Sequence, residues 1–174
     1  MLMTTLVATV FVSSASADSE QDPSPALPTE ESAPSPVATA ESNESKEDIE
    51  DTSVDILSIE KSKGSRFTAL TARITNNGLD NLPMSAFDND VYDYREAQPS
   101  GIKLDVAGQT RHHPIMDAEK YCLCSGYASR TPFVPIIQPN ESVDYWMLYN
   151  LPADTQQVTV EIPGFDPIED VPVE

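Results

Sequence analysis

From Thr52 onward, apolar and polar residues alternate over short runs, and clusters of turn-forming residues separate those runs. The segment Val54-Asp55-Ile56-Leu57-Ser58-Ile59 is expected to be a first strand, ended by the polar stretch 60–65. Arg66 to Thr75 comes next, with Thr68, Leu70, Ala72 and Ile74 on one face and Asn76-Asn77-Gly78 as the turn that closes it. Ile102, Leu104 and Val106 alternate with Lys103 and Asp105 before an Ala107-Gly108 turn. Ser142 to Tyr149 forms an aromatic-rich strand. Val158, Val160 and Ile162 alternate with Gln157, Thr159 and Glu161 up to Pro163-Gly164, and a last short strand falls near Ile168 to Val173. The stretch from Leu79 to Ser100 is irregular and reads as a loop-rich crossover with room for one edge strand. No helical 3.6-residue period holds over ten residues. Strands with one apolar face need a second sheet to cover that face, so the pattern predicts an all-β, antiparallel β-sandwich over residues 52–174.

Upstream the pattern fails. Residues 18–51 are built from Ser, Pro, Glu, Ala and Thr and carry eleven acidic residues against Lys46. So few large apolar side chains cannot offset the entropy of ordering, which predicts a disordered acidic stalk acting as a spacer. Residues 1–17 contain an apolar run from Leu6 to Val12 followed by Ala15-Ser16-Ala17, the small-x-small pattern of a signal-peptide cleavage site. Cleavage before Asp18 is expected, leaving a secreted or surface-displayed chain with no membrane span. The whole chain carries 29 Asp and Glu against 10 Lys and Arg, a formal net charge of -19. Such a charge repels nucleic acid and anionic lipid, so neither is an expected partner.

Several elements together resemble a known group. These are Thr75-Asn-Asn-Gly78, Cys122-Leu-Cys-Ser125, Ile137-Gln-Pro-Asn-Glu-Ser142, Leu151-Pro-Ala-Asp154, Ile162-Pro-Gly-Phe165 and Asp170-Val-Pro172. In their order of turns and strands they resemble actinobacterial exported proteins that carry an Ig-like β-sandwich domain of unknown function. The resemblance implies an immunoglobulin-like sandwich at the cell envelope and says nothing of activity. Where that group leads one to expect Pro-Gly, this chain has Pro139-Asn140. Asn also tolerates the left-handed conformation, so the turn is expected to survive.

Four sets of residues are candidates for chemistry. Cys122 and Cys124 are the only cysteines, and an even count in an exported protein suggests a disulfide. In an extended strand their Cα atoms would lie about 6.6 Å apart, near the upper limit for such a bond, so bonding requires a local turn. A free buried pair, bridges to another chain and a metal site are the other readings. For the metal site, His112 and His113 would join Cys122 and Cys124 as a copper or zinc set. Adjacent strand residues point to opposite faces, which leaves one histidine at most on the cysteine side unless the chain turns. Asp88, Asp90 and Asp93 are oxygen-rich enough to suggest calcium. They fail the EF-hand pattern because Tyr92 and Asp93 occupy positions that need a ligand and a glycine. Tyr92, Tyr94 and Tyr127 fall in irregular loops and would form a contact patch if exposed.

No Gly-x-Ser-x-Gly, P-loop or dinucleotide fingerprint occurs, and no cofactor is implied. The expected function is therefore a non-catalytic binding or spacer module whose partner is an envelope protein or a cell-wall polymer. The alternative is a metal- or redox-linked envelope protein that uses the Cys-x-Cys loop.

Overall fold

A computed structural model describes residues 35–43, 49–96, 98–127 and 132–174. The expected signal segment at 1–17 lies outside the described residues, as does most of the expected stalk. The described residues form ten strands: β1 (Ala38–Glu41), β2 (Thr52–Lys61), β3 (Phe67–Asn76), β4 (Leu82–Pro83), β5 (Lys103–Val106), β6 (Thr110–His112), β7 (Ile136–Ile137), β8 (Ser142–Asn150), β9 (Gln157–Glu161) and β10 (Ile168–Pro172). A 3-10 turn at Met84–Phe87 follows β4. One four-stranded sheet has the order β1-β2-β3-β8, a second has β10-β9-β5-β6, and β4 pairs with β7 as a small third. All these pairings are antiparallel. The protein is an all-β antiparallel sandwich. Among the described residues no helix is long and apolar enough to cross a membrane.

Period-2 alternation decides which side chains enter the core. In β3, Thr68, Leu70, Ala72 and Ile74 are buried, and Asn76 continues the same face. In β9, Val158 and Val160 are buried between the exposed Gln157 and the half-buried Thr159 and Glu161. β8 contributes Tyr145, Met147 and Tyr149 from the first sheet, opposite Leu104 and Val160 of the second, within one continuous cluster. β2 departs from strict alternation: Ile56 and Leu57 are both buried. The pairing shifts there from Ile56↔Ala72 to Ser58↔Thr71, so Leu57 is the extra residue of a β-bulge, and Ile59 returns to the core.

The turns follow local chemistry. Ala107 and Gly108 join β5 to β6 with φ of 56° and 66°, and Asn140 adopts φ 61° in the turn before β8. That is the left-handed conformation Asn was expected to supply in place of glycine.

The boundary at Thr52 is corrected. β1 pairs with β2 from Ala38↔Ile56 to Glu41↔Ser53, Ser42 bridges to Phe165, and Ile49 is buried in the core. The sandwich therefore reaches well into the stretch read as a stalk. Ala38 and Ala40 are the inward residues of β1, too small to register as an apolar period, while Ile49 stands alone among acidic neighbours. The Leu79–Ser100 crossover is irregular as expected and holds the short edge strand β4. It also buries Met84, Phe87 and Gln98.

The two sheets are closed differently along their two sides. On one side Lys61 and Ile59 of β2 exchange backbone hydrogen bonds with Glu174, and Asn43 donates to Gly164. On the other side lie the edge strands β8 and β6, and the chain leaving β6 crosses between them: Ile115 donates to Leu148 O, and Leu148 donates to Leu123 O.

Candidate functional site

The side bounded by β6 and β8 carries a depression of about 470 Å3, lined among others by Tyr92, Tyr94, Arg111, His113, Met116 and Asn150. Its rim depends on Asn89. The Asn89 side-chain Oδ1 accepts from the backbone N–H groups of Val91 (2.9 Å) and Tyr92 (2.8 Å), which folds the loop back on itself. Asn89 Nδ2 donates to Ser100 O at 2.8 Å and faces His113 Nδ1 at 2.9 Å. Because Oδ1 takes two N–H donors, the other end of the amide must be the nitrogen. Nδ1 of His113 is then the acceptor, and the neutral ring carries its proton on Nε2. Burial first, and then the Lys103 charge, hold the His113 pKa below the ordinary histidine value, so the ring is neutral near pH 7.

Tyr92 stands edge-on to the His113 ring at 4.7 Å, with half of its surface exposed. Tyr94 packs beneath: its hydroxyl donates to Pro114 O, and burial pushes its pKa up to about 12. The exposed Val91 extends the apolar tip of this loop. Tyr127 does not line the depression, and its hydroxyl donates to Asp117 Oδ2 at 3.0 Å. The expected patch of three tyrosines is thus corrected to Tyr92 and Tyr94 with His113 added. Asn89 was the missed residue. An Asn between Asp88 and Asp90 in a strand-poor stretch is a turn signal, masked in the sequence by the carboxylates on either side of it.

Those carboxylates do not form a site. Asp88 Oδ1 accepts from Gln98 N at 3.2 Å, Asp90 pairs with Lys103 at 2.8 Å, and Asp93 pairs with Lys120 at 3.0 Å. The hydrogen bond from Lys103 lowers the Asp90 pKa. Each acid has turned to a different partner, and among the described residues no group of three or more His, Cys, Asp or Glu is placed to hold a metal ion.

The same finding corrects the set of Cys122, Cys124, His112 and His113. His113 is committed to Asn89 and Tyr92 at the surface, whereas both cysteines are fully buried. The cysteine Sγ atoms lie 2.29 Å apart as a disulfide, with Cα atoms 5.2 Å apart, closer than an extended strand would place them. The turn that the spacing demanded is present: Cys122 bridges to Met116 and Cys124 to Met147 of β8, so the two cysteines pair with different segments. Gln98 packs alongside, its Oε1 3.6 Å from Cys124 Sγ and its Nε2 donating to Gly126 O at 3.0 Å.

A second depression, of about 380 Å3, lies where β2, β3 and β8 end, with Lys61, Arg66, Phe67, His112, Asn150 and Leu151 on its walls. His112 and Asn150 belong to both depressions. None of Lys61, Arg66 and Phe67 was expected at a site, because Lys61 falls in the polar run 60–65, which reads as a turn, and Arg66 and Phe67 open the next expected strand. No protein-family model matches the chain, and no curated protein or solved structure matches it significantly.

Proposed function

We propose that this chain is a non-catalytic binding module, exported and held at the cell surface or released, that engages an envelope protein or a cell-wall polymer through the side of the sandwich between β6 and β8. The observation that carries the reading is the rim of the larger depression, where a half-exposed Tyr92 is braced against His113 by the Asn89 turn. An aromatic held rigidly at an open surface contributes contact area on binding at little cost in side-chain entropy. An immunoglobulin-like arrangement belongs to the same proposal. The order β1-β2-β3-β8 facing β10-β9-β5-β6 supports it, because the chain passes back and forth between the sheets, from β3 to β5, from β6 to β8 and from β8 to β9, as the connections of that fold do.

Co-sedimentation of the protein with purified cell envelopes tests the reading. Tyr92→Ala is expected to lower the bound fraction by about fivefold or more, as removal of a central aromatic contact does. Leu79→Ala removes an even more exposed apolar residue that lines neither depression and should leave binding unchanged. Binding that is absent, or that responds alike to both changes, overturns it.

A further inference from the structure

The two adjoining depressions meet at His112 and Asn150 and together run from Phe67 to Tyr92. We propose that they form one track for an anionic glycan, with sugar rings against Phe67 and Tyr92 and acid groups on Arg66 and Arg111. The inference rests on the binding-module reading and adds the chemical class of the ligand.

Charge distribution carries the argument. On a chain with net charge -19, no Asp or Glu lines either depression among the described residues, yet Lys61, Arg66 and Arg111 do, with both histidines. Clearing acids from one continuous strip of so acidic a surface makes a local field that attracts anions while the rest of the molecule repels them. Arg66 is exposed and has no ion-pair or hydrogen-bond partner among the described residues, so its guanidinium is available for the planar, two-point contact that suits a carboxylate or sulfate. Arg111 leans on Glu161 at 2.9 Å but keeps much of its side chain exposed. Lys61 is tied to the carbonyls of Ala153 and Thr155 and contributes charge rather than a free donor. Between the cations, Phe67 and Tyr92 each leave about half of their surface open, 45% and 50%. His112 Nε2, at the junction, is buried without a hydrogen-bond partner.

Two half-exposed aromatics and a set of cations on one strip suit a polymer that repeats a ring and an acid. The overall negative charge disfavours a polyanion as dense as nucleic acid, whose phosphates crowd along the strand. A glycan with one acid group per sugar carries less charge over the same length and suits a strip with few cations.

Titration of the full chain with polygalacturonate, dextran sulfate, uncharged dextran, poly-glutamate and single-stranded DNA tests the proposal. Binding to polygalacturonate or dextran sulfate is expected, weakening as salt is raised. Arg66→Glu is expected to weaken it by about tenfold or more, equivalent to about 1.4 kcal/mol. Lys63→Glu makes the same charge change at an exposed residue that lines neither depression and should alter binding less than about twofold. Equal losses from the two variants, no binding to either anionic glycan, or equal affinity for uncharged dextran would overturn the proposal. Tighter binding of poly-glutamate or DNA would do the same. Should both anionic glycans fail while Tyr92-dependent envelope binding persists, the ligand class is wrong and the binding-module reading stands.

Discussion

Asn76 shows how much one buried polar residue organises. It is 2% exposed at the end of β3, and its Nδ2 donates to Asp80 O (2.7 Å) and Ile137 O (3.1 Å) while Oδ1 accepts from Gly78 N (3.0 Å). Its backbone N–H donates to Glu141 O, and its carbonyl accepts from Asn140. The residue therefore ties the turn after β3 to β7 and to the turn before β8. Asn76→Ala would leave one N–H and two carbonyls without these partners. A loss of about 2–3 kcal/mol is expected, measurable by urea unfolding. A loss below about 0.5 kcal/mol, the range of an ordinary surface change, would mean that water replaces all three bonds. The sequence marked Asn76-Asn77-Gly78 as a turn, but not that the first Asn is its internal brace. Burial of an amide depends on what the rest of the chain brings over it.

Among the elements, β1 shows how a strand forms without a hydrophobic period of its own. Its backbone satisfies the edge of β2, and its inward residues are alanines, so the favourable terms are ladder hydrogen bonds and shallow packing rather than deep burial. The larger apolar contribution from this region is Ile49, 1% exposed. Ile49→Ala is expected to cost about 2–5 kcal/mol, and a chain beginning at Thr52 should melt many degrees below the intact one. Equal melting temperatures would show that residues before Thr52 lie outside the core. By contrast, the surface pair Arg73–Asp144 at 2.7 Å, paired across β3 and β8, contributes only about 0–1 kcal/mol by its exposure. Register in the first sheet is set by the buried face, not by such pairs.

For the molecule as a whole, the Cys122–Cys124 disulfide lies inside the sandwich beside Met116, Met147 and Gln98 rather than in either depression. Both cysteines are fully buried, so the bond is shielded from reductants while the fold is intact. A thiol reagent is expected to label no cysteine in the native protein and two after denaturation under reducing conditions. Two reactive thiols in the native protein would favour the redox-linked alternative. The same global view explains how an acidic chain accommodates a cation-lined strip. Lys61, Arg66 and Arg111 come from the end of β2, the turn before β3 and the edge strand β6, and they meet only because the strand ends converge.

By itself the sequence determined the strands with a strong period, such as β3 and β9, and the positions of their turns. A two-residue alternation places side chains without reference to any other part of the chain. It also determined that Cys122 and Cys124 need a local bend to bond, since their spacing is a property of the backbone alone. Tertiary structure decided the inclusion of β1 and Ile49, the scattering of Asp88, Asp90 and Asp93 onto separate partners, and the meeting of Tyr92 with His113 through Asn89. Each of these depends on residues far apart in the chain arriving at one place, and no local pattern records which distant residue completes a contact.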